Sequence, residues 1–195
     1  MIRLPLLAFA LLLCLPWRVA AEWQVKPFVG LTFGGSTTFL DLEDAVGTTN
    51  PAIGIGAVYL SDMLGIEAEV ASAPGFFQAG GRRLIVRSAV TTVTGNVVLT
   101  LPRRMTEYTL RPYFVAGAGL MRVSMDDALG AFELSSNLAA FDIGGGVTGF
   151  FSDRFGVSWD LRYFRSLKGQ QVGPGLSFGD PELSFWRLNM ALVLR

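Results

Sequence analysis

From Trp23 onward, bulky apolar residues alternate with small or polar ones in short stretches. Near the end of the chain, Trp186, Leu188, Met190, Leu192 and Leu194 share one face, and Arg187, Asn189, Ala191, Val193 and Arg195 the other. Upstream, Phe155, Val157, Trp159, Leu161 and Tyr163 oppose Gly156, Ser158, Asp160 and Arg162. Ile66, Ala68 and Val70 oppose Glu67 and Glu69, while Phe141, Ile143, Val147 and Phe151 oppose Asp142, Gly144, Gly146 and Thr148. A period of two is what a strand shows when it separates two environments. No helical period is sustained over three turns.

The alternating stretches predict eight strands, over about 23–34, 52–60, 64–73, 84–101, 111–124, 138–151, 155–165 and 183–195. Their connections alternate between long and short. Ser61-Asp62-Met63 and Ser152-Asp153-Arg154 read as tight turns, and Pro102-Arg103-Arg104 opens a third. Acidic or Gly-rich connections follow the first, third, fifth and seventh strands. This order is that of an up-and-down barrel with both chain ends on the side of the short turns.

Alternation alone also fits a soluble, lipocalin-like binding barrel. The size of the two faces decides between them. The bulky face holds Leu, Val, Trp and Phe, and the other holds Gly, Ala, Ser and Thr with a few charges. An eight-strand lumen is narrow and suits the second set, whereas the first would overfill it. The composition agrees, with 51% hydrophobic and only 16% charged residues, against roughly a quarter charged in a soluble domain. Lys26 and Lys168 are the only lysines, too few for an ordinary soluble surface. Beyond the first twenty residues no apolar run reaches the ~20 residues of a spanning helix. The expected fold is all-β, an eight-stranded antiparallel up-and-down transmembrane β-barrel.

Residues 1–21 have the form of a cleavable signal peptide, leaving the barrel domain at 22–195. Arg3 is the charged start, Leu4 to Pro16 the apolar core, and Val19 and Ala21 the small residues before the cut. Cys14, the one cysteine, lies within this segment, so no disulfide is expected afterwards. The whole chain carries 16 basic and 16 acidic residues, and Arg3 and Arg18 fall in the signal segment. The remainder is slightly acidic, which argues against nucleic acid as a partner.

The chain contains no His, which removes the usual general base and the commonest metal ligand. No catalytic residues, metal or cofactor are expected. Gly144-Gly145-Gly146 is followed by strand residues rather than a helix, so it reads as strand glycines and not a phosphate loop. The informative polar residues are charges on the inward face: Glu67, Glu69, Asp142, Asp160, Arg162 and Arg187, with Arg122 a further candidate. Unpaired charge in a dry interior is costly, so these residues are expected to pair across strands and close the lumen. A narrow gated pore is the alternative. Phe76, Phe77, Arg82 and Arg83 in the third connection could form a surface contact loop, or belong to an interfacial aromatic belt.

The segment Phe141 to Phe164, with its Gly-rich strand, short Ser152-Asp153 turn and Asp160-Leu161-Arg162-Tyr163 ending, resembles the outer-membrane protein β-barrel domain family, the OmpA/OmpX-like small barrels. Arg111 to Leu120 and Gly65 to Val70 resemble the fifth and third strands of that family. Such proteins usually end in an aromatic residue, where this chain has Arg195. The resemblance implies the outer membrane of a Gram-negative envelope, a monomer, and contact with outer-membrane lipid and the barrel insertion machinery; lipopolysaccharide is a further expected partner, through Phe76, Phe77, Arg82 and Arg83. The resemblance also implies a structural or surface-interaction role. The enzymes built on this architecture use a His, which this chain lacks.

Overall fold

The computed structural model describes residues 21–37, 49–76, 85–102, 110–127, 133–171 and 182–195. Eight strands follow one another: β1 (Glu22–Thr37), β2 (Asn50–Leu60), β3 (Leu64–Pro74), β4 (Ile85–Thr100), β5 (Leu110–Asp127), β6 (Glu133–Phe150), β7 (Phe155–Gln171) and β8 (Leu183–Leu194). Each pairs antiparallel with its neighbours in sequence, and β1 pairs with β8 to close the barrel. The expected fold is the observed one. The signal segment lies outside the described residues, apart from Ala21.

Two short connections are tied by local hydrogen bonds. The Ser61 amide donates to the Leu64 carbonyl at 2.9 Å and the Thr100 amide to the Met63 carbonyl at 2.8 Å. Between β6 and β7, Ser152 Oγ accepts from the amides of Phe155 at 3.1 Å and Arg154 at 3.3 Å. A serine hydroxyl that binds nearby backbone in this way competes with the ladder and turns the chain.

The outer wall is the apolar face anticipated from the sequence. Trp23, Val29, Ile53, Ile66, Val97, Trp159 and Met190 all project outward and are exposed. In β8 the outward positions from Trp186 to Leu194 are continuously apolar, and a tilted strand needs ~9–11 residues to cross a bilayer. Aromatic pairs mark the edges of this wall, with Trp23 and Tyr59 centroids 5.0 Å apart near the turn end and Tyr163 and Trp186 also 5.0 Å apart higher up.

The strands differ from the sequence expectation at the loop end. β5 reaches Asp127, β6 begins at Glu133 and β7 reaches Gln171. The apolar alternation stops where the wall leaves the bilayer. The backbone ladder continues beyond it, pairing Asp126 with Glu133 and Ser124 with Ser135, because hairpin arms in water need only their hydrogen bonds. Arg122 is a second correction. It is exposed and faces outward opposite Asn137, because the parity of β5 places Met121 and Val123 in the core instead.

The lumen is also less uniformly small than its sequence face implied. Val58, Leu60, Val98, Tyr113 and Val115 pack together toward the turn end. Met121, Leu138, Phe164, Leu183 and Phe185, joined by Phe76, pack toward the loop end. Small inward residues make room for these large ones. A Cβ on the inward Gly119 would overlap the Val93 carbonyl oxygen, whereas one on Gly95, which faces outward, would meet nothing. Gly119→Ala is therefore expected to lower stability by about 1–3 kcal/mol in urea unfolding from detergent micelles, and Gly95→Ala to leave the transition in place. Equal effects of the two changes would show that the close approach of β4 and β5 does not matter.

Candidate functional site

The six charges singled out in the sequence all lie inside the barrel. Glu67 and Glu69 come from β3, Asp142 from β6, Asp160 and Arg162 from β7, and Arg187 from β8, and all are buried. They form one layer between the two apolar clusters.

Arg162 is its hub. Nη1 lies 2.6 Å from Glu67 Oε1 and 3.2 Å from Glu69 Oε2, and Nε lies 3.2 Å from Asp160 Oδ1. Arg187 is the second cation. Its Nη2 donates to Glu69 Oε1, and Nη1 donates to Thr92 Oγ1 at 3.3 Å. The two arginines are direct cross-strand partners on β7 and β8, a juxtaposition that repels. The acids that neutralise them come chiefly from β3, which the strand order places across the lumen. The sequence placed Asp142, Asp160, Arg162 and Arg187 on neighbouring strands. The strongest pairs, however, span the barrel.

Neutral partners complete the layer. Asn96 Nδ2 donates to Glu67 Oε1 at 2.9 Å, and Asn189 Nδ2 to Asp160 Oδ1 at 2.8 Å. The Tyr113 hydroxyl donates to Asp160 Oδ2 at 2.8 Å and lies 2.9 Å from Ser158 Oγ. Lys26, also buried, sits 4.7 Å from the Tyr113 ring centroid. The Arg187 guanidinium lies 4.5 Å from the Phe164 ring and 5.0 Å from the Phe28 ring, contacts that favour a desolvated cation. From Phe164 the aromatic packing continues to Phe185 and then Phe76, with successive centroids 5.1 Å apart.

Lys26, Phe28, Asn96, Tyr113 and Asn189 were not singled out in the sequence. Strand parity could have found Lys26 and Asn96. Val25 and Val29 face outward on β1, as Val93 and Val97 do on β4, so the residues between them at Lys26 and Asn96 must face inward.

Phe76 is a correction. It is 1% exposed and packs on Phe185, and its carbonyl accepts from Asn50 Nδ2 at 3.2 Å. An apolar ring at the lumen rim gains more by capping the aromatic cluster than by facing water. It is not available to a surface partner. Phe77, Arg82 and Arg83 lie outside the described residues. Gly144, Gly145 and Gly146 are β6 residues paired with β5 and β7, so they do not form a phosphate loop. No group of acidic residues among those described is placed to hold a metal ion.

A closed, all-antiparallel eight-strand barrel with an apolar exterior and a charged, filled interior defines a small transmembrane β-barrel. The sequence profile of the outer membrane protein beta-barrel domain family matches residues 6–191, and the chain belongs to that family. Three solved barrels share the fold. Neisserial surface protein A aligns with TM-score 0.64 and 14% identity, over 89% of this chain and 97% of its own. OprG of Pseudomonas aeruginosa gives 0.57 and 13%, over 90% and 96%. The N-terminal barrel of P. aeruginosa OprF gives 0.52 and 13%, over 89% and 97%. No curated protein matches the chain by sequence.

Asp142 differs from the other acids of the layer. It is 1% exposed, neither carboxylate oxygen accepts a hydrogen bond, and Arg162 Nη1 is 3.7 Å away. Desolvation of this carboxylate is weakly compensated, whereas Glu67 holds a close charge-assisted bond. Asp142→Asn is expected to change unfolding stability by less than about 0.5 kcal/mol, or to raise it. Glu67→Gln should cost about 1–3 kcal/mol. Urea titrations of both variants in micelles would check this, and a loss in Asp142→Asn matching that in Glu67→Gln would count against the ranking.

Proposed function

We propose that this chain is a closed, non-catalytic barrel of the outer membrane, with a structural or surface-presenting role and no continuous path for ions. The observation that carries this reading is the order of layers in the lumen. An apolar cluster around Val58 and Tyr113, the Arg162–Glu67–Glu69 layer and an aromatic cluster around Phe164 and Phe185 follow one another along the barrel axis. An ion would have to break buried charge pairs, which is costly, and pass the packed side chains on either side of them, among them Val58 and Val98 at the turn end and Phe164 and Phe185 at the loop end. Small barrels fill their interior with side chains rather than water.

Two features support a non-catalytic role: the chain has no His, and the hydrogen-bonded Ser158, Tyr113 and Asp160 are buried in the charged layer. The exposed apolar wall runs against a soluble periplasmic binding barrel. The rest of the reading is export by a signal segment cleaved near residue 21, insertion by the barrel assembly machinery, a monomeric state, and contact with outer-membrane lipid and lipopolysaccharide. In this arrangement the tight turns face the periplasm and the longer connections face outside.

The experiment is planar-bilayer recording with barrel purified from outer membranes. The expected trace has no steady single-channel steps. Steady conductance in the wild type that Arg162→Ala or Asp160→Ala abolishes would replace the closed scaffold with a narrow pore whose ion path runs through the charged layer.

A further inference from the structure

The β2–β3 ladder is the shortest in the barrel. It runs from Leu60↔Gly65 to Ile53↔Ser72 and stops. By the same register Ala52 and Ala73 would come next, facing inward, and the outward-facing pair after them would be Pro51 and Pro74. Neither has an N–H to donate, so a ladder cannot continue through them. Beyond this point β2 stays with β1, pairing Leu31↔Pro51, and β3 stays with β4, pairing Pro74↔Ala89. The wall therefore has a seam in its loop-side half, tied above by the bond from Asn50 to the Phe76 carbonyl.

A groove of about 540 Å³ lies on the outer wall from this seam toward β7. Its walls are two outward-facing rows of side chains. One row is Trp159–Met190–Val29–Ile53, continuous through the registers of β7, β8, β1 and β2. The other runs Leu188–Leu31–Pro51. Between them the row Asn189–Gly30–Ala52 turns its side chains inward or has none, and leaves backbone as the floor. At the seam end Pro74 contributes to the lining.

We propose that this groove holds one acyl chain of an outer-leaflet lipid. The inference rests on the reading of the chain as an outer-membrane barrel and goes on to name a site on its wall. Three observations identify the occupant. The lining is apolar and continuous with the lipid-facing belt. The groove opens at the loop-side ends of β2 and β3, the side assigned to the outer leaflet, and descends along the wall to Trp159, four residues from the start of β7. Its two rows stand two residues apart on each strand, about 7 Å between backbone positions, and the row between them turns inward, so the channel is one side chain wide and suits a single extended chain. Bilayer and groove are equally apolar, so shape and dispersion contacts rather than water exclusion favour the bound chain. A second copy of the barrel or a detergent tail would be a different occupant.

The test is native mass spectrometry of barrel extracted into detergent from outer membranes of expressing cells. Three proteins are compared: wild type, Val29→Trp, which fills the groove, and Val97→Trp, which adds the same bulk to β4 outside it. Heat-modifiable gel mobility verifies folding of each, and Met190→Trp substitutes for Val29→Trp if that variant does not fold. The expected result is one retained lipid on wild type and Val97→Trp, with occupancy roughly tenfold lower in the groove-filled variant. The groove is overturned, and the membrane reading left intact, if folded wild type retains no lipid. The groove is equally overturned if retention is the same in all three, if it falls equally in both variants, or if a second chain takes the lipid's place. Recovery of the wild type only in the soluble fraction would overturn the membrane reading and the groove together.

Discussion

The interior of this barrel depends on two arginines and the two glutamates that face them across the lumen. Arg162 and Arg187 are adjacent on β7 and β8, and without compensation their charges would push those strands' inner faces apart. Glu67 and Glu69 on β3 provide the compensation. Both ions of a buried pair lose their hydration, so such a pair is tolerated only when geometry is good and the remaining polar atoms find partners. Asn96, Thr92 and Tyr113 supply such partners around Glu67, Arg187 and Asp160, while Arg187 Nε and both Asp142 oxygens have no hydrogen-bond partner. The consequence is a specific interior, since breaking one of these contacts strands a desolvated charge.

Packed side chains lie above and below the layer, and the layer in turn accounts for the shape of the rest. Long arginines reaching across the barrel need small residues near them, and Gly144 beside Arg162 and Gly146 beside Asp160 provide that space. The aromatic column from Phe164 through Phe185 to Phe76 then closes the loop end over the Arg187 guanidinium. Outside, the requirements are different and simpler. A wall in hydrocarbon needs apolar side chains and a closed ladder. It departs from closure at Pro51 and Pro74, two residues that have no backbone donor to leave unpaired.

Much of this was legible in the sequence because a strand in a barrel has only two sides. The alternation in β3, β7 and β8 located the strands, their outward faces and, with β6, all six network charges. Three things were not legible, each for a physical reason. Alternation gives the side on which a residue lies but not its height or angular position, so the pairing of β3 with β7 and β8 across the lumen could not be separated from pairing between neighbours. Phe28, Phe164 and Phe185 are bulky residues on the inner face, and they blur the contrast of sizes that otherwise tells inside from outside. The extensions of β5, β6 and β7 are mostly polar in sequence, with single apolar residues at Met125, Leu134 and Leu167, and they are too short to carry a period to read. Phe76 illustrates the limit of reasoning by loop composition, because a ring beside Gly75 can turn back into the lumen as readily as outward.

The central claim is that cross-lumen ion pairing holds the barrel interior together. A double-mutant cycle of Arg162→Met and Glu67→Met, with unfolding free energies from urea titrations in micelles, tests it most directly. The account predicts that each single change is strongly destabilising and that the double change costs less than their sum, with a coupling of about 1–3 kcal/mol. Additivity within about 0.5 kcal/mol would contradict it, and would leave the apolar layers and the backbone ladder as what holds the barrel closed.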